Sequence, residues 1–115
     1  MVFNTVRKGW EMPGGRIEER ESIEDAVRRE FLEEAGYEID ILGMRDIGSC
    51  VVCACLLLER KNSSPEMISE LFSVVPENIS FERSEYDLVI PWARSEVLSK
   101  RDLKAGADRK QTKVI

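Results

Sequence analysis

Apolar residues recur at helical spacing directly after the first glycine-rich stretch of the chain. They are Ile23, Ala26, Val27 and Phe31. Ser22 followed three residues later by Asp25 is a capping-box-like start, and Gly36 suits the position just past a helix end. The pattern predicts a helix over Ile23–Ala35.

The glutamates of this helix share a face with some of its apolar residues. At about 100° per residue, with Glu30 at zero, Glu34 falls near 40° and Glu33 near 300°. In the same projection Ile23 lies near 20°, Val27 near 60°, Phe31 near 100° and Ala26 near 320°. Glu30 and Glu34 are therefore predicted to lean toward the core.

Clustered glutamates most often form a solvated face. Carboxylates that are partly buried together repel one another and lose hydration, so they need a compensating cation. Either a neighbouring arginine or a metal ion could supply it. A set of oxygen ligands in a chain without histidine favours a hard cation such as Mg²⁺, and hydrolysis of a phosphoanhydride is the reaction that such a site suits.

The rest of the chain predicts short strands, loops and a second helix. Residues 2–3 resemble the end of a strand, and residues 10–15 an extended piece closing on a Pro-Gly-Gly turn. Further strands are predicted at 38–48, 49–60 and 87–92, the last stopped by Pro91, with a loop at 62–65 and a helix at 93–103. The pattern leaves helix and strand equally open at 66–72.

Length and charge limit the classes of protein. A chain of 115 residues has room for one domain, predicted over residues 1–104, with a basic tail at 105–115 expected to be disordered. A net charge of -5 argues against nucleic acid as a partner.

Three cysteines lie close together in one apolar segment: Cys50, Cys53 and Cys55. Without histidine they suit neither a zinc site nor a disulfide framework, so buried, reduced thiols are expected. No signal peptide is evident, and the longest apolar run, residues 51–58, is short of the roughly 20 residues that span a bilayer. A cytoplasmic protein without a membrane partner is expected.

A long motif with fixed spacing covers residues 15–37. Gly15 is followed after five residues by Glu21, and after seven more by Arg29-Glu30-Phe31-Leu32-Glu33-Glu34-Ala35-Gly36-Tyr37. This resembles the Nudix box in every fixed position, with Tyr37 in place of an aliphatic residue as the one soft departure. Residues 9–15 and 89–92 also resemble the flanking parts of that family, in its MutT-like form.

The resemblance implies an α+β fold, an α/β/α sandwich with a mixed sheet. It implies an Mg²⁺- or Mn²⁺-dependent hydrolase that cleaves a pyrophosphate bond in a nucleoside diphosphate-linked substrate, most simply a nucleoside triphosphate. Glu30 and Glu34 would bind the metal, with Glu33 a further ligand or the general base, and a backbone carbonyl of Gly14 or Gly15 would add a ligand. Arg29 would pair with Glu21 to orient helix and loop.

Other assignments are weaker expectations. Candidate substrate-binding residues are Arg16, Glu85 and Asp87, with Glu82 a further carboxylate of the later loops. Relative to the family, the first strand starts late, as if truncated, so a homodimer covering an exposed sheet edge is a hypothesis.

Two other functions stay open at this point. A catalytically silent nucleotide-binding or regulatory module would keep the fold without turnover, and a purely structural acidic helix would make the motif a coincidence. The intact set of glutamates favours the hydrolase over both.

Overall fold

The computed structural model describes residues 1–105 and 113–114. The elements in chain order are β1 (Val2–Asn4), β2 (Gly9–Glu11), α1 (Ile23–Ala35), β3 (Tyr37–Asp46), β4 (Val51–Arg60), β5 (Ile68–Ser69), α2 (Arg83–Ala105) and β6 (Lys113–Val114). The segment left open at 66–72 contains the strand β5. The basic tail predicted at 105–115 lies outside the described residues, apart from Ala105 and β6.

The strands form two antiparallel three-stranded sheets, ordered β2-β1-β5 and β3-β4-β6. In the first sheet Phe3 lies opposite both Trp10 and Ile68. The α+β class is confirmed. The mixed sheet was expected to contain parallel pairing, which in the described part of the chain is one isolated bridge between Trp10 and Ile79.

Helix α1 has the bounds that its sequence predicts. The Ser22 hydroxyl accepts a hydrogen bond from the Asp25 backbone N–H at 3.1 Å, which caps the first turn. Gly36 ends the helix with a φ of 89°, and its N–H donates to the Leu32 carbonyl at 3.0 Å. A Cβ on Gly36 would lie 2.6 Å from the Asn62 carbonyl oxygen, so both the backbone angle and the space require glycine.

The last carbonyls of α1 are bound by the segment 61–69 that follows β4. The Glu66 N–H donates to the Glu33 carbonyl at 2.8 Å, and the Met67 N–H donates to the Glu34 carbonyl at 3.1 Å. These carbonyls have no partner within the helix, so another part of the chain must satisfy them. The segment thereby fixes the end of α1 that carries the glutamates.

Strand β4 is buried on both faces. On one face Cys55 and Leu57 form the core with Ile39, and Val27 and Phe31 of α1 pack against it. On the other face Ala54 and Leu56 are only 2% and 3% exposed, and α2 lies against β4 there. The sheet of β3 and β4 therefore lies between two helices, as an α/β/α sandwich requires.

The prediction of a strand at residues 87–92 is wrong, because this stretch belongs to the continuous helix α2. Tyr86, Val89 and Val97 are buried, and their spacing places them on one helical face. Pro91 lies within the helix on the exposed side, where water can reach the carbonyl that proline cannot pair. Burial of the apolar face outweighs the local cost of proline.

The cysteines follow the prediction only in part. All three are free thiols, but Cys55 alone of them is buried. Cys53 is half-buried, and Cys50, in the turn before β4, is exposed, so the expectation that all are buried is wrong for Cys50 and met only in part for Cys53. Burial raises the pKa of the Cys55 thiol to about 12 and also raises the pKa of Cys53. Among the described helices none is long and apolar enough to cross a membrane.

Candidate active site

The centre of the candidate site is the carboxylate of Glu34, a residue that is only 9% exposed. It lies in the last turn of α1, and its Oε2 accepts a hydrogen bond from the Gly14 backbone N–H at 2.9 Å. The loop after β2 and the end of α1 meet at this bond. The angular position of Glu34 predicted a lean toward the core, and its burial confirms it.

Glu34 lies in surroundings that disfavour its charge. Burial raises the pKa of Glu34 to about 7, and the hydrogen bond from Gly14 only partly opposes this. The negative charges of Glu30, Glu11 and Glu66 raise the pKa further. A positive charge placed among these groups would be strongly favoured.

The Glu30 carboxylate lies directly against the backbone of Gly15. A Cβ on Gly15 would lie 2.5 Å from Glu30 Oε1, so only glycine leaves room for this approach. The Glu30 side chain is 17% exposed, whereas the Glu33 side chain is 46% exposed. Glu30 therefore belongs to the buried side of the site and Glu33 to its open side.

Arg29 joins the loop and the helix through several carboxylates. Its Nε and Nη2 donate to the two oxygens of Glu21 at 2.8 and 3.0 Å, and its Nη1 donates to Glu30 at 2.9 Å and to Glu33 at 3.3 Å. Nη2 also donates to the Arg16 carbonyl at 3.1 Å. These charge-assisted bonds lower the pKa of Glu21 to about 2 and raise the pKa of Arg29.

The structure thus brings the glycine loop, Arg29 and the four glutamates together, as the motif spacing implies. Arg16 contributes its carbonyl oxygen there, while its side chain is exposed. Glu85 lies in the first turn of α2, where its carboxylate accepts a 3.4 Å hydrogen bond from the Ser49 hydroxyl, and Asp87 is exposed. The roles of all these residues in catalysis, metal binding and substrate binding stay predictions.

The donor chemistry of the site fits a divalent cation. Within residues 1–105 and 113–114, no three Asp, Glu, Cys or His side chains converge closely enough to hold a metal, and Glu30 and Glu33 contact Arg29 instead. The candidate ligands are nevertheless all oxygens, as Mg²⁺ prefers. Such an ion would offset the negative charges around buried Glu34.

One buried carboxylate beside the site was not predicted from the sequence. Glu11, the last residue of β2, is 7% exposed and accepts hydrogen bonds from the Asn4 side-chain amide at 3.1 Å and from Arg7 Nη1 at 3.1 and 3.2 Å. Alternation along a strand places Glu11 and Trp10 on opposite faces. The sequence does not say which face is inside, so burial of Glu11 became visible only in the structure.

Comparison with known protein families assigns this chain to one of them. The profile of the NUDIX domain matches residues 3–68, which is more than half of the chain. The chain belongs to the NUDIX domain family. The matched region of this NUDIX chain includes the Gly14 loop, all of α1 and all but the last residue of the segment that binds the carbonyls at its end.

Two curated relatives match short stretches of the NUDIX chain. A protein of Caenorhabditis elegans named "Putative nudix hydrolase 1" is 53% identical over 38 residues, 33% of this chain and 10% of that protein. A protein of Bacillus subtilis (strain 168) named "Putative 8-oxo-dGTP diphosphatase" is 57% identical over 28 residues, 24% of this chain and 19% of that protein. The matches span less than a fifth of either relative. No solved structure matches the chain significantly.

Proposed function

We propose that this NUDIX chain is an Mg²⁺-dependent hydrolase of a pyrophosphate bond in a nucleoside diphosphate-linked substrate, and that a nucleoside triphosphate is the substrate. The observation that carries the proposal is the buried Glu34 carboxylate, held by the Gly14 N–H and surrounded by like charges. A structural helix has no use for such an arrangement, because an uncompensated carboxylate there lowers stability.

Glu30 and Glu34, with a backbone carbonyl of Gly14 or Gly15, would hold the cation. Mn²⁺ could replace Mg²⁺ with the same oxygen ligands. When bound, the ion supplies the positive charge that offsets the phosphates and makes an attacking water easier to deprotonate. Glu33 is the more exposed carboxylate and is the candidate to accept that proton, with a contact to Arg29 that keeps its orientation.

The substrate class rests on the family and on the name of the Bacillus subtilis relative. A nucleotide carries a diphosphate that the cation could bind jointly with the glutamates, and the cation would offset the repulsion between these carboxylates and an anionic substrate. Arg16, Glu85 and Asp87 are kept as proposed substrate contacts. A cytoplasmic location is also proposed, because three free thiols are typical of a reducing compartment.

The test is the release of phosphate and pyrophosphate from a panel of nucleoside triphosphates, dinucleoside polyphosphates and nucleotide sugars, with Mg²⁺ or Mn²⁺. Glu34→Gln removes the central charge and keeps the shape. Asp25→Asn is the matched control, because Asp25 lies on the same helix with its side chain 70% exposed. We expect metal-dependent turnover that Glu34→Gln abolishes and Asp25→Asn retains.

Two results would contradict the proposal. Equal turnover by Glu34→Gln and the unchanged protein would remove Glu34 from the chemistry. A silent panel accompanied by thermal stabilisation on adding nucleotide and metal would instead identify a binding module without turnover.

A further inference from the structure

Glu11 is a buried carboxylate beside the site that the proposed reaction does not use. It ends β2 and stands three residues before Gly14, whose N–H holds Glu34. Its cross-strand partner Val2 is fully buried, so the Glu11 side chain points to the interior face of the sheet. A charge in that place acts on its neighbours with little screening by water.

Arg7 is the counter-ion of Glu11, and the two differ greatly in exposure. The Arg7 side chain is 52% exposed and the Glu11 side chain 9%. The Arg7 guanidinium also lies over the Phe81 ring, 5.2 Å from its centre, in a cation–π contact. Because water can reach Arg7, its charge is screened more than that of Glu11, and the pair leaves a net negative field on its buried side.

The negative charge of Glu11 reaches the candidate active site. Glu11 is among the charges that act on Glu34, and it also acts on the hydroxyl of buried Tyr86. The site therefore receives negative charge from Glu11 at the end of β2 as well as from the glutamates of α1. Groups outside the set of direct ligands commonly tune a metal in this way.

We propose that Glu11 is a positioning residue for divalent-cation binding, whose buried charge strengthens the affinity of the Glu34 site while Arg7 limits that effect. The inference rests on the proposed function. It assigns Glu11 no contact with substrate or with the reacting atoms. It predicts that removing the two partners of one ion pair changes metal affinity in opposite directions.

The experiment is a calorimetric titration of the whole chain with Mn²⁺ at pH 8 in the absence of nucleotide. Glu11→Gln keeps the shape of the side chain and removes its charge, and Arg7→Gln removes the counter-ion. Glu59→Gln is the matched control, because it makes the same change at a side chain that is 80% exposed. Circular dichroism checks that each variant is folded.

We expect Glu11→Gln to weaken Mn²⁺ binding by about tenfold or more, as loss of an outer partner of a metal site typically does. Arg7→Gln should tighten binding several-fold, and Glu59→Gln should change it by less than about twofold, as screened surface charges do. If the pair only braces β1 against β2, both Glu11→Gln and Arg7→Gln loosen the loop and weaken binding. A shift in the same direction for both would overturn the inference, as would no shift beyond the control.

The outcomes also separate this inference from the proposed function. If the unchanged protein does not bind Mn²⁺, the proposed metal-dependent function fails first and the inference fails with it. If it binds Mn²⁺ and Glu11→Gln binds equally well, the inference alone fails. Should Glu11→Gln not fold, Arg7→Gln decides the matter, since tighter binding supports the inference and weaker or unchanged binding contradicts it.

Discussion

The Arg29 guanidinium holds both oxygens of Glu21, with hydrogen bonds of 2.8 and 3.0 Å. Glu21 lies just before α1 and Arg29 lies in its middle, so this pair ties the incoming loop to the helix it leads into. The same guanidinium reaches Glu30 and Glu33. The orientation of two candidate metal ligands thus depends on a residue outside the ligand set.

Glu21→Gln is expected to lower metal-dependent activity by about ten- to a hundred-fold, the usual cost of losing an outer partner. Glu18→Gln is the control, because the 69% exposed Glu18 side chain lies 3.7 Å from the same Arg29 nitrogen that contacts Glu30. Steady-state kinetics at several Mg²⁺ concentrations measure the effect. Equal losses in both variants would mean that general charge, and not the Glu21 geometry, is what matters.

The same pair predicts a dependence of stability on pH. Because its hydrogen bonds to Arg29 lower the pKa of Glu21 to about 2, Glu21 stabilises the folded chain at pH values above its ordinary range near 4.5. That contribution is lost as the pH falls toward 2. Melting temperatures of Glu21→Gln and the unchanged protein should therefore differ at pH 6 and converge between pH 4 and pH 2.

Glu34 is expected to change stability with pH in the opposite direction. Its pKa is raised to about 7, so the protonated Glu34 side chain contributes its full stabilisation at pH values below its ordinary pKa of 4.5. That contribution is lost as the pH rises through 7. Without metal, Glu34→Gln should be more stable than the unchanged protein at pH 8 by on the order of 3 kcal/mol, because the pKa of Glu34 is raised from 4.5 to about 7 and each pKa unit corresponds to about 1.4 kcal/mol. The advantage should vanish near pH 4.

Chemical denaturation in the presence of a chelator measures this difference. Adding Mg²⁺ at pH 8 should reduce the advantage of Glu34→Gln, because only the unchanged protein gains stability from the ion. Asp25→Asn should behave as the unchanged protein does at both pH values. A lower stability of Glu34→Gln at pH 8 without metal would contradict the burial of a destabilising charge.

Two neighbouring glycines offer a matched test of the loop. Gly15→Ala places a methyl group 2.5 Å from Glu30 Oε1, whereas at Gly14 a Cβ meets no atom within 4 Å. The obstructed atom is the end of a flexible side chain, so Gly15→Ala should barely change the melting temperature. It should reduce turnover at least tenfold by displacing Glu30, whereas Gly14→Ala should retain turnover. Equal activity of the two variants would show that the approach of Glu30 to Gly15 is dispensable.

Pro91 is expected to weaken α2. Replacing it with alanine restores a backbone donor and removes the clash of the ring with the preceding turn, at an exposed position. Pro91→Ala should raise the free energy of unfolding by on the order of 1 kcal/mol, less than the full helix penalty of proline because the backbone already accommodates it. Ser95→Ala replaces another exposed residue of this helix and should change the free energy of unfolding by only about a few tenths of a kcal/mol. Destabilisation by Pro91→Ala would mean that the packing of α2 depends on the proline.

Helix α1 could be predicted to its terminal residues because its determinants are local. The Ser22 cap, the apolar spacing and Gly36 all lie within fifteen residues of one another. The motif glutamates lie on that helix, so their grouping around the glycine loop followed from the same spacing. Local order and the candidate site were predictable together.

Helix α2 could not be predicted in the same way. The β-branched residues before Pro91 favour a strand, and the proline disfavours a helix interior. Only burial of Tyr86, Val89 and Val97 against the sheet makes the helix the better solution. The buried pair of Glu11 and Arg7 presents a similar difficulty. Short strands alternate without showing which face is covered, and the covering elements come from distant parts of the chain.

The hydrogen bonds from residues 61–69 to the carbonyls at the end of α1 change what counts as the smallest exchangeable unit of this protein. By composition the segment is an ordinary surface loop, the kind of place where insertions and grafts are usually tolerated. Here it completes a helix that lies about thirty residues earlier in the chain. A chimaera that exchanged α1 between two such proteins would have to include residues 61–69 as well, because this segment forms the hydrogen bonds that complete the end of the helix.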